Sequence, residues 1–500
     1  MSLRRGLILG WLVAGLQLVS AGQNPAPQIP AQDASADSAR TAPAAALSAM
    51  AGMQGESYAT DTNSDLPNIP ALLGGAGISS AFVPELERSN YLRGGVNVGA
   101  VYDSNPLLRS SGTESNTSES IFPNIRIEES SSRMRWTLGY AGGLTVNQNL
   151  TSQNEGSHNL NFDSQYRLTP HVNLRVAENF SMTTGFFDAG NGTQVVAGAG
   201  GPNLSLIAPL STQRSSMTTV ETNYHFALND LIGGSGSFYD LNFTNVATGT
   251  QLTGSGTASG PAVPEGTQLT DSETASGSAF WLHRIFRGDW AGTSYRFDRI
   301  TFNGSESRVH SFYAVDTLDL SHRFTLTGFV GPQYSENHAG NQGSLSAATA
   351  PTSWSVAGGA EGGWQSLRTS LSAGYSRSIS DGAGVLGTVR LQNVHANFRR
   401  ELVPGWAAAL NASHGTNQAL ILPASCNPKV TEEGVCTVSS INLTSAGISL
   451  ERNVGKSIGL RLGYNHDFQE QFGSPAETFD ASRNRFFVTL SYQWAKPLGM

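Results

Sequence analysis

The sequence has little charge for its length. Of its 500 residues, only 14 % are Asp, Glu, Lys or Arg, whereas about a quarter is usual for a soluble globular protein. Hydrophobic residues make up a modest 39 %, so a larger core does not replace the missing charge. The composition therefore favours a surface that is apolar where a soluble protein carries charge. The net charge of −8 and the lack of any basic run predict no nucleic-acid partner.

Long hydrophobic runs are also missing. After residue 21, no stretch approaches the roughly 18 consecutive apolar residues of a membrane-spanning helix. Backbone polar groups in lipid must be hydrogen-bonded within the protein, so a closed β-barrel is the other way to cross a membrane.

Cysteine is scarce, and metal-ligand spacing is absent. Cys426 and Cys436 lie in "SCNPKVTEEGVC", and in an exported protein this spacing predicts one disulfide that closes a loop. The ten histidines include no pair at helical i, i+4 spacing and no recognisable partner of a nucleophile. We therefore expect no metal site, no cofactor and no catalytic site.

The N-terminus indicates export. Arg4 and Arg5 precede an apolar stretch from Gly6 to Val19, and Ala21 completes a small-residue cleavage site, which predicts a signal peptide over residues 1–21. Residues 22–90 are rich in Ala, Pro, Ser, Gln and Asp without sustained periodicity. Such a segment buries too little apolar surface to offset its chain entropy, so we expect a disordered periplasmic extension.

From Tyr91 to Trp494, segments of about ten residues alternate apolar and polar side chains, as β-strands with two different faces do. Short turns such as "LTPH" and "ELVPG" alternate with long connections rich in Gly, Ser, Thr and Asn. This segregation is typical of outer-membrane barrels. We predict one transmembrane, antiparallel, up-and-down β-barrel over residues 91–494, with about 18 strands and 16 as the alternative count.

The tryptophans support this interpretation. Six of the seven beyond the signal segment lie on the predicted short-turn side, and Trp354 belongs to the long-loop side. Aromatic rings favour membrane interfaces, where the apolar ring and the polar N–H are both accommodated. Aromatic residues also favour strands in general, but that preference would not collect them at one end.

The last strand resembles the C-terminal insertion signal of bacterial outer-membrane proteins, which alternates hydrophobic residues and ends on an aromatic residue. The matching residues are Phe486, Val488, Leu490, Tyr492 and Trp494. The resemblance implies location in the outer membrane of a Gram-negative bacterium, contact with its lipid, and recognition by the barrel-assembly machinery. The sequence departs from the pattern in "AKPLGM", which we predict to be a short periplasmic tail over residues 495–500.

The first predicted strand carries a second resemblance. The stretch "GGVNVGAVYDSNP", residues 94–106, is similar to the opening strand of a family of β-barrel porins, some of which are encoded beside exopolysaccharide genes. Tyr102, Asp103 and Asn105 match the family's Tyr-Asp-x-Asn step. The resemblance implies a channel with an optional link to polysaccharide export.

Charged residues on the inward parity of the strands are the candidate site residues. We expect these nine to face the lumen: Arg126, Arg135, Arg175, Arg296, Arg461, Glu221, Asp298, Asp319 and Asp467. One hypothesis is that they solvate a water-filled interior. The other is that opposing rows of charge filter solutes, as charged rings do in other pores.

Three functions remain open from the sequence. The first is a channel, either a diffusion porin for small solutes or a conduit for exported polysaccharide, because barrels of this size leave an aqueous interior unless something plugs it. The second is a structural or surface-interaction barrel that displays long extracellular loops. The third, a barrel enzyme, has no catalytic motif in its favour.

Overall fold

The computed structural model describes residues 90–106, 113–151, 154–184, 212–244, 271–286, 289–302, 305–321, 323–338, 352–382, 386–420, 440–455, 457–472 and 479–498. The predicted signal peptide, nearly all of the N-terminal extension, and both cysteines lie outside these residues. Among the described residues, no helix has the length and apolarity needed to cross a membrane.

The described residues form eighteen β-strands, with alternating apolar and polar side chains that suit a wall with two different faces. The strands are β1 (Tyr91–Asp103), β2 (Asn116–Ser130), β3 (Met134–Asn147), β4 (Glu155–Thr169), β5 (Val172–Thr184), β6 (Thr212–Ala227), β7 (Asp230–Thr244), β8 (Ser272–Phe286), β9 (Asp289–Phe302), β10 (Ser305–Ser321), β11 (Phe324–His338), β12 (Ser353–Gln365), β13 (Thr369–Gly382), β14 (Leu386–Val403), β15 (Trp406–Ala419), β16 (Ser440–Val454), β17 (Ile458–Phe472) and β18 (Phe479–Pro497).

The strands form one closed antiparallel ring. Each strand pairs with its neighbours in sequence, and β1 pairs with both β2 and β18, which closes the sheet. The predicted fold class and the preferred count of eighteen strands are therefore confirmed for the described part of the chain. Gly405 and Gly455 take positive φ angles of 83° and 68° in two of the short turns, a conformation that glycine adopts without a steric penalty.

The outer face of the barrel is apolar. On β18, the alternate residues Phe486, Val488, Leu490, Tyr492 and Trp494 are 41–54 % exposed, and the exposed Val98 and Tyr102 continue this face on β1. On the opposite parity, Ser491 is only 2 % exposed. These exposed apolar side chains therefore point away from the lumen.

Three features differ from the sequence-based expectations. Trp290, expected in an interfacial ring, points into the barrel and is 3 % exposed within an apolar cluster. The strand β18 continues through Pro497, where Ala495, Lys496 and Pro497 pair with the first three residues of β1. The predicted tail therefore begins inside the ladder. On the long-loop side, β9–β10 and β13–β14 are joined by only two and three residues.

The lumen wall as the candidate functional site

The nine predicted lumen residues all lie on the inward parity of their strands, opposite the exposed apolar side chains. Two ion pairs join predicted residues to each other, Arg296–Asp298 at 2.6 Å and Arg175–Glu221 at 3.4 Å. Arg135 lies beside Gln165 of β4, and Asp319 lies beside Thr325 of β11.

The other predicted residues pair with charges that we did not predict. Arg126 contacts Glu128 at 2.8 Å, and Arg461 contacts Glu451 at 3.6 Å. On the last two strands, Arg485 contacts Asp467 at 3.0 Å. These ion pairs connect residues of the same strand or of neighbouring strands, so the charge is distributed as local pairs along the wall.

The paired charges differ in how far they reach into the lumen. Arg399 is 42 % exposed and its partner Glu451 12 %. Arg93 and Arg126 share the partner Glu128, which is 19 % exposed. Arg93 is 33 % exposed and Arg126 is 27 % exposed. Three pairs have the opposite order: Arg175 is 17 % exposed and Asp163 32 %, and the nearly buried pairs Arg296–Asp298 and Arg483–Asp103 are each 5 % against 8 %. In most of the lumen ion pairs, the arginine side chain is therefore more exposed than its carboxylate partner.

A further ion pair connects the first strand, β1, to the last strand, β18. The Nε of Arg483 on β18 donates to Asp103 Oδ2 on β1 at 2.7 Å, and both side chains are at most 8 % exposed. Asp103 also accepts the Asn105 backbone N–H at 3.0 Å, and the Asn105 side-chain amide donates to the Ser482 carbonyl at 3.0 Å. The Tyr-Asp-x-Asn step thus holds the first strand against the last one.

Some of the charged lumen residues that we did not predict could have been found from the sequence. Arg483 and Arg485 share the polar parity of the closing strand, so alternation alone would have placed them inward. In the sequence, Asp103 was noted only as part of the Tyr-Asp-x-Asn step. Its role as a partner of Arg483 depends on the register between strands at opposite ends of the chain, which local sequence does not encode.

One part of the inner wall is apolar instead of charged. Inward side chains of β7–β12 form a cluster with exposed fractions of 0–7 %. Its members are Leu231, Phe280, Leu282, Trp290, Tyr313, Val315, Phe329 and Ala357. The inner surface is therefore uneven. On β7–β12, packed apolar side chains occur together with the buried Arg296–Asp298 pair, and the other lumen ion pairs lie on the remaining strands.

The end of the β13–β14 hairpin leaves the wall and lies inside the barrel. Ile379 of β13 packs with Ile300 and Val309, which point inward from β9 and β10. Asp381 lies 3.5 Å from the inward Ser272 hydroxyl of β8, and Thr388 donates to Ser307 of β10 at 2.6 Å. Since β11 and β12 stand between β10 and β13 in the wall, these contacts require the hairpin end to pass along the lumen side.

Burial supports this placement of the hairpin end. Ser378 and Ile379 point to opposite faces of β13, yet they are 4 % and 5 % exposed. Thr388 and Val389 on β14 are likewise 1 % and 0 % exposed. A single-layer wall would expose one parity to lipid, so burial of both parities indicates a second layer. The apolar alternation of the sequence breaks in this segment, since Arg377 lies on the parity of the exposed Tyr375 and Arg390 on that of the exposed Val394.

Within the described ranges, no group of three or more His, Cys, Asp or Glu residues is placed to hold a metal ion. The closed ring, the apolar exterior and the charged interior together define a transmembrane β-barrel of the outer-membrane type.

No protein-family model matches the sequence, and no curated protein matches it either. Among solved structures, the chain is similar to OpdK of Pseudomonas aeruginosa with vanillate, at a TM-score of 0.40 and 10 % identity, over 81 % of this chain and 99 % of OpdK. It is also similar to the siderophore receptor PiuA of Acinetobacter baumannii, at a TM-score of 0.41 and 12 % identity, over 82 % of each chain. OprD of Pseudomonas aeruginosa gives a TM-score of 0.37 and 10 % identity, over 82 % of this chain and 96 % of OprD. At these TM-scores and sequence identities, the similarity does not indicate a substrate for this chain.

Proposed function

We propose that this protein is an outer-membrane diffusion channel that favours small anionic solutes. The observation that carries the proposal is the exposure of the lumen ion pairs, in which Arg399, Arg93 and Arg126 reach further into the lumen than their carboxylate partners. Field lines concentrate in a narrow, low-dielectric cleft, so a partly exposed guanidinium there attracts anions more strongly than on an open surface.

The size of the barrel is compatible with this function. Barrels of about 16–18 strands enclose an aqueous channel when nothing fills them, and the end of the β13–β14 hairpin occupies part of the space at the long-loop side. We therefore expect small solutes to pass and larger ones to be excluded. Unlike catalysis, diffusion along the ion-paired wall requires no nucleophile or metal site.

Planar-bilayer recording tests the proposal. Under asymmetric KCl, the reversal potential of the wild-type channel should show chloride preference. Arg399→Gln should shift it towards potassium, because the substitution removes the most exposed guanidinium among these lumen pairs and leaves Glu451. Arg299→Gln is the control, since Arg299 is 55 % exposed on the outer face and should leave selectivity unchanged. A barrel that folds without conducting would refute the channel and favour a structural or surface-interaction role.

A more specific form of the same proposal is that the channel is a conduit for exported polysaccharide. It rests on the resemblance of residues 94–106 to the porin family, and the contacts of Asp103 and Asn105 give those two residues a structural reason to be present whatever the solute is. Blocking of the conductance by anionic oligosaccharides of increasing length separates the two forms. A diffusion channel should lose sensitivity as the chains grow, whereas an export conduit should be blocked more strongly by longer chains.

A further inference from the structure

Among the described strands, the ladder between β12 and β13 has the fewest cross-strand pairs. Eight cross-strand pairs join these two strands, from Gly358↔Arg377 to Gln365↔Ser370. Every other neighbouring pair of described strands is joined by eleven or more, as for β2–β3. Residues 353–357 of β12 continue towards the long-loop end in register with β11, while β13 turns into the lumen. We name this place the β12–β13 seam.

An apolar cleft lies on the outer face beside the seam. It has a volume of about 390 Å³ and is lined by Tyr295, His310, Phe312, Pro332, Tyr334 and Trp354. Trp354, on the seam strand itself, is 73 % exposed, and Phe312 is 58 % exposed. These values mean that the cleft opens towards the lipid rather than towards the lumen.

A charged row borders the cleft on its long-loop side. Arg299 and Arg308 are directly opposite each other on β9 and β10, and each contacts Glu306. Their neighbours one step further down their strands are Phe297 and His310, whose rings lie 5.0 Å apart. A molecule with an anionic head and an apolar tail would match this order of charge and aromatic surface.

From these observations we infer that the β12–β13 seam is a lateral passage, through which single-chain anionic amphiphiles move between the lumen and the outer cleft. The passage opens when the hairpin end detaches from the inner faces of β8–β10. Its contacts there include hydroxyl contacts at Ser272 and Ser307 and the packing of Ile379 on Ile300 and Val309. The inference rests on the proposed channel function, since it supplies a second exit from the same lumen.

A lipid-resident thiol reagent tests whether the seam opens. Ala357 of β12 and Ala177 of β5 both face the lumen and are 0 % and 8 % exposed, but thirteen pairs join β5 to β6. In a Cys426→Ser, Cys436→Ser background, an N-alkyl maleimide dissolved in the bilayer should label Ala357→Cys at least about tenfold faster than Ala177→Cys. An open form populated at a few per cent, as is common for minor states, gives such a ratio. Equal labelling would overturn the inference.

A second pair of variants tests the role of the hairpin end. Ile379→Ser should accelerate labelling of Ala357→Cys, because it weakens the packing on Ile300 and Val309. Ile441→Ser removes a similarly buried isoleucine on β16 and should not accelerate it. Heat-modifiable gel mobility establishes that each variant is folded. If both substitutions accelerate labelling alike, the opening is general loosening and not detachment of the hairpin end.

Competition identifies the class of occupant. Dodecanoate should slow the labelling of Ala357→Cys, and butyrate, which has the same head and almost no tail, should not. If both or neither slow it, the seam does not take amphiphiles. Ion conductance is measured separately, so a conducting barrel with an unlabelled seam would refute the lateral passage and leave the channel proposal standing.

Discussion

Asp103 and Arg483 are 380 residues apart in the sequence, and their side chains meet at 2.7 Å across the junction of the first and last strands. Neither side chain is more than 8 % exposed. Removing one partner of a buried ion pair leaves an uncompensated charge, which commonly costs about 3–5 kcal/mol. The closure of the barrel therefore depends on this pair as well as on backbone hydrogen bonds.

Asp103→Asn should lower the free energy of unfolding by roughly 3–5 kcal/mol. Urea titration in lipid vesicles, read by heat-modifiable gel mobility, measures the change. Arg308→Gln is the control, because Arg308 is 47 % exposed and Glu306 keeps Arg299 as a partner, and exposed pairs contribute about 0–1 kcal/mol. If both variants lose the same stability, the buried pair has no special part in closure.

The two faces of the closing strand should respond differently to charge. Leu490 is 50 % exposed on the apolar face, so Leu490→Arg should cost about 2–4 kcal/mol if it lies near the bilayer midplane. Thr489→Arg is the inward control and should cost much less, because its guanidinium reaches lumen water. Ser491 is unsuitable as a control, since it is 2 % exposed and donates to the Gly459 carbonyl. Equal losses measured by the same titration would mean that both faces meet the same solvent.

The end of the chain should contribute to stability. Deletion after Trp494 removes the pairs of Ala495, Lys496 and Pro497 with β1, together with the Leu498 N–H donated to Asn90. Each hydrogen bond contributes about 0.5–1.5 kcal/mol, so the truncated barrel should melt at a lower temperature. Deletion of only the last two residues is the control and should leave the melting temperature unchanged.

Cys426 and Cys436 should form a disulfide in the mature exported protein. Non-reducing mass analysis should show two fewer hydrogens than the reduced chain. The double substitution Cys426→Ser, Cys436→Ser should still give a heat-modifiable barrel, since neither cysteine belongs to a described strand. Two free thiols in mature protein would contradict the prediction.

The sequence predicts the barrel well because alternation is a local property. Each strand shows its own period, and the strand count follows from it without knowledge of any partner. The arginines and carboxylates of the lumen were partly found in the same way, through parity. Their ion pairs were not, because Asp467 meets Arg485 only in one register of β17 against β18.

Two side chains of the inner face depart from the simplest interpretation of the sequence. Trp290 begins its strand beside a short turn, as an interfacial ring would, but its parity directs it towards Leu282 and the apolar inner cluster. Ile379 continues the parity of the exposed Tyr375, so it should face lipid. It packs inside the barrel because β13 parts from β12, and that separation depends on strands far away in the chain.

The strand order has a consequence for the time course of assembly. Among the described strands, every pairing except β1–β18 joins strands that are consecutive in the sequence. Seventeen pairings can therefore form by short-range zipping of hairpins, and a single contact of very high sequence separation remains. Because long loops must be closed before distant contacts form, that last step should be slow. Until it occurs, the sheet has two open edges whose unpaired backbone groups can recruit other chains, so the nascent barrel needs protection until the last strand reaches the first.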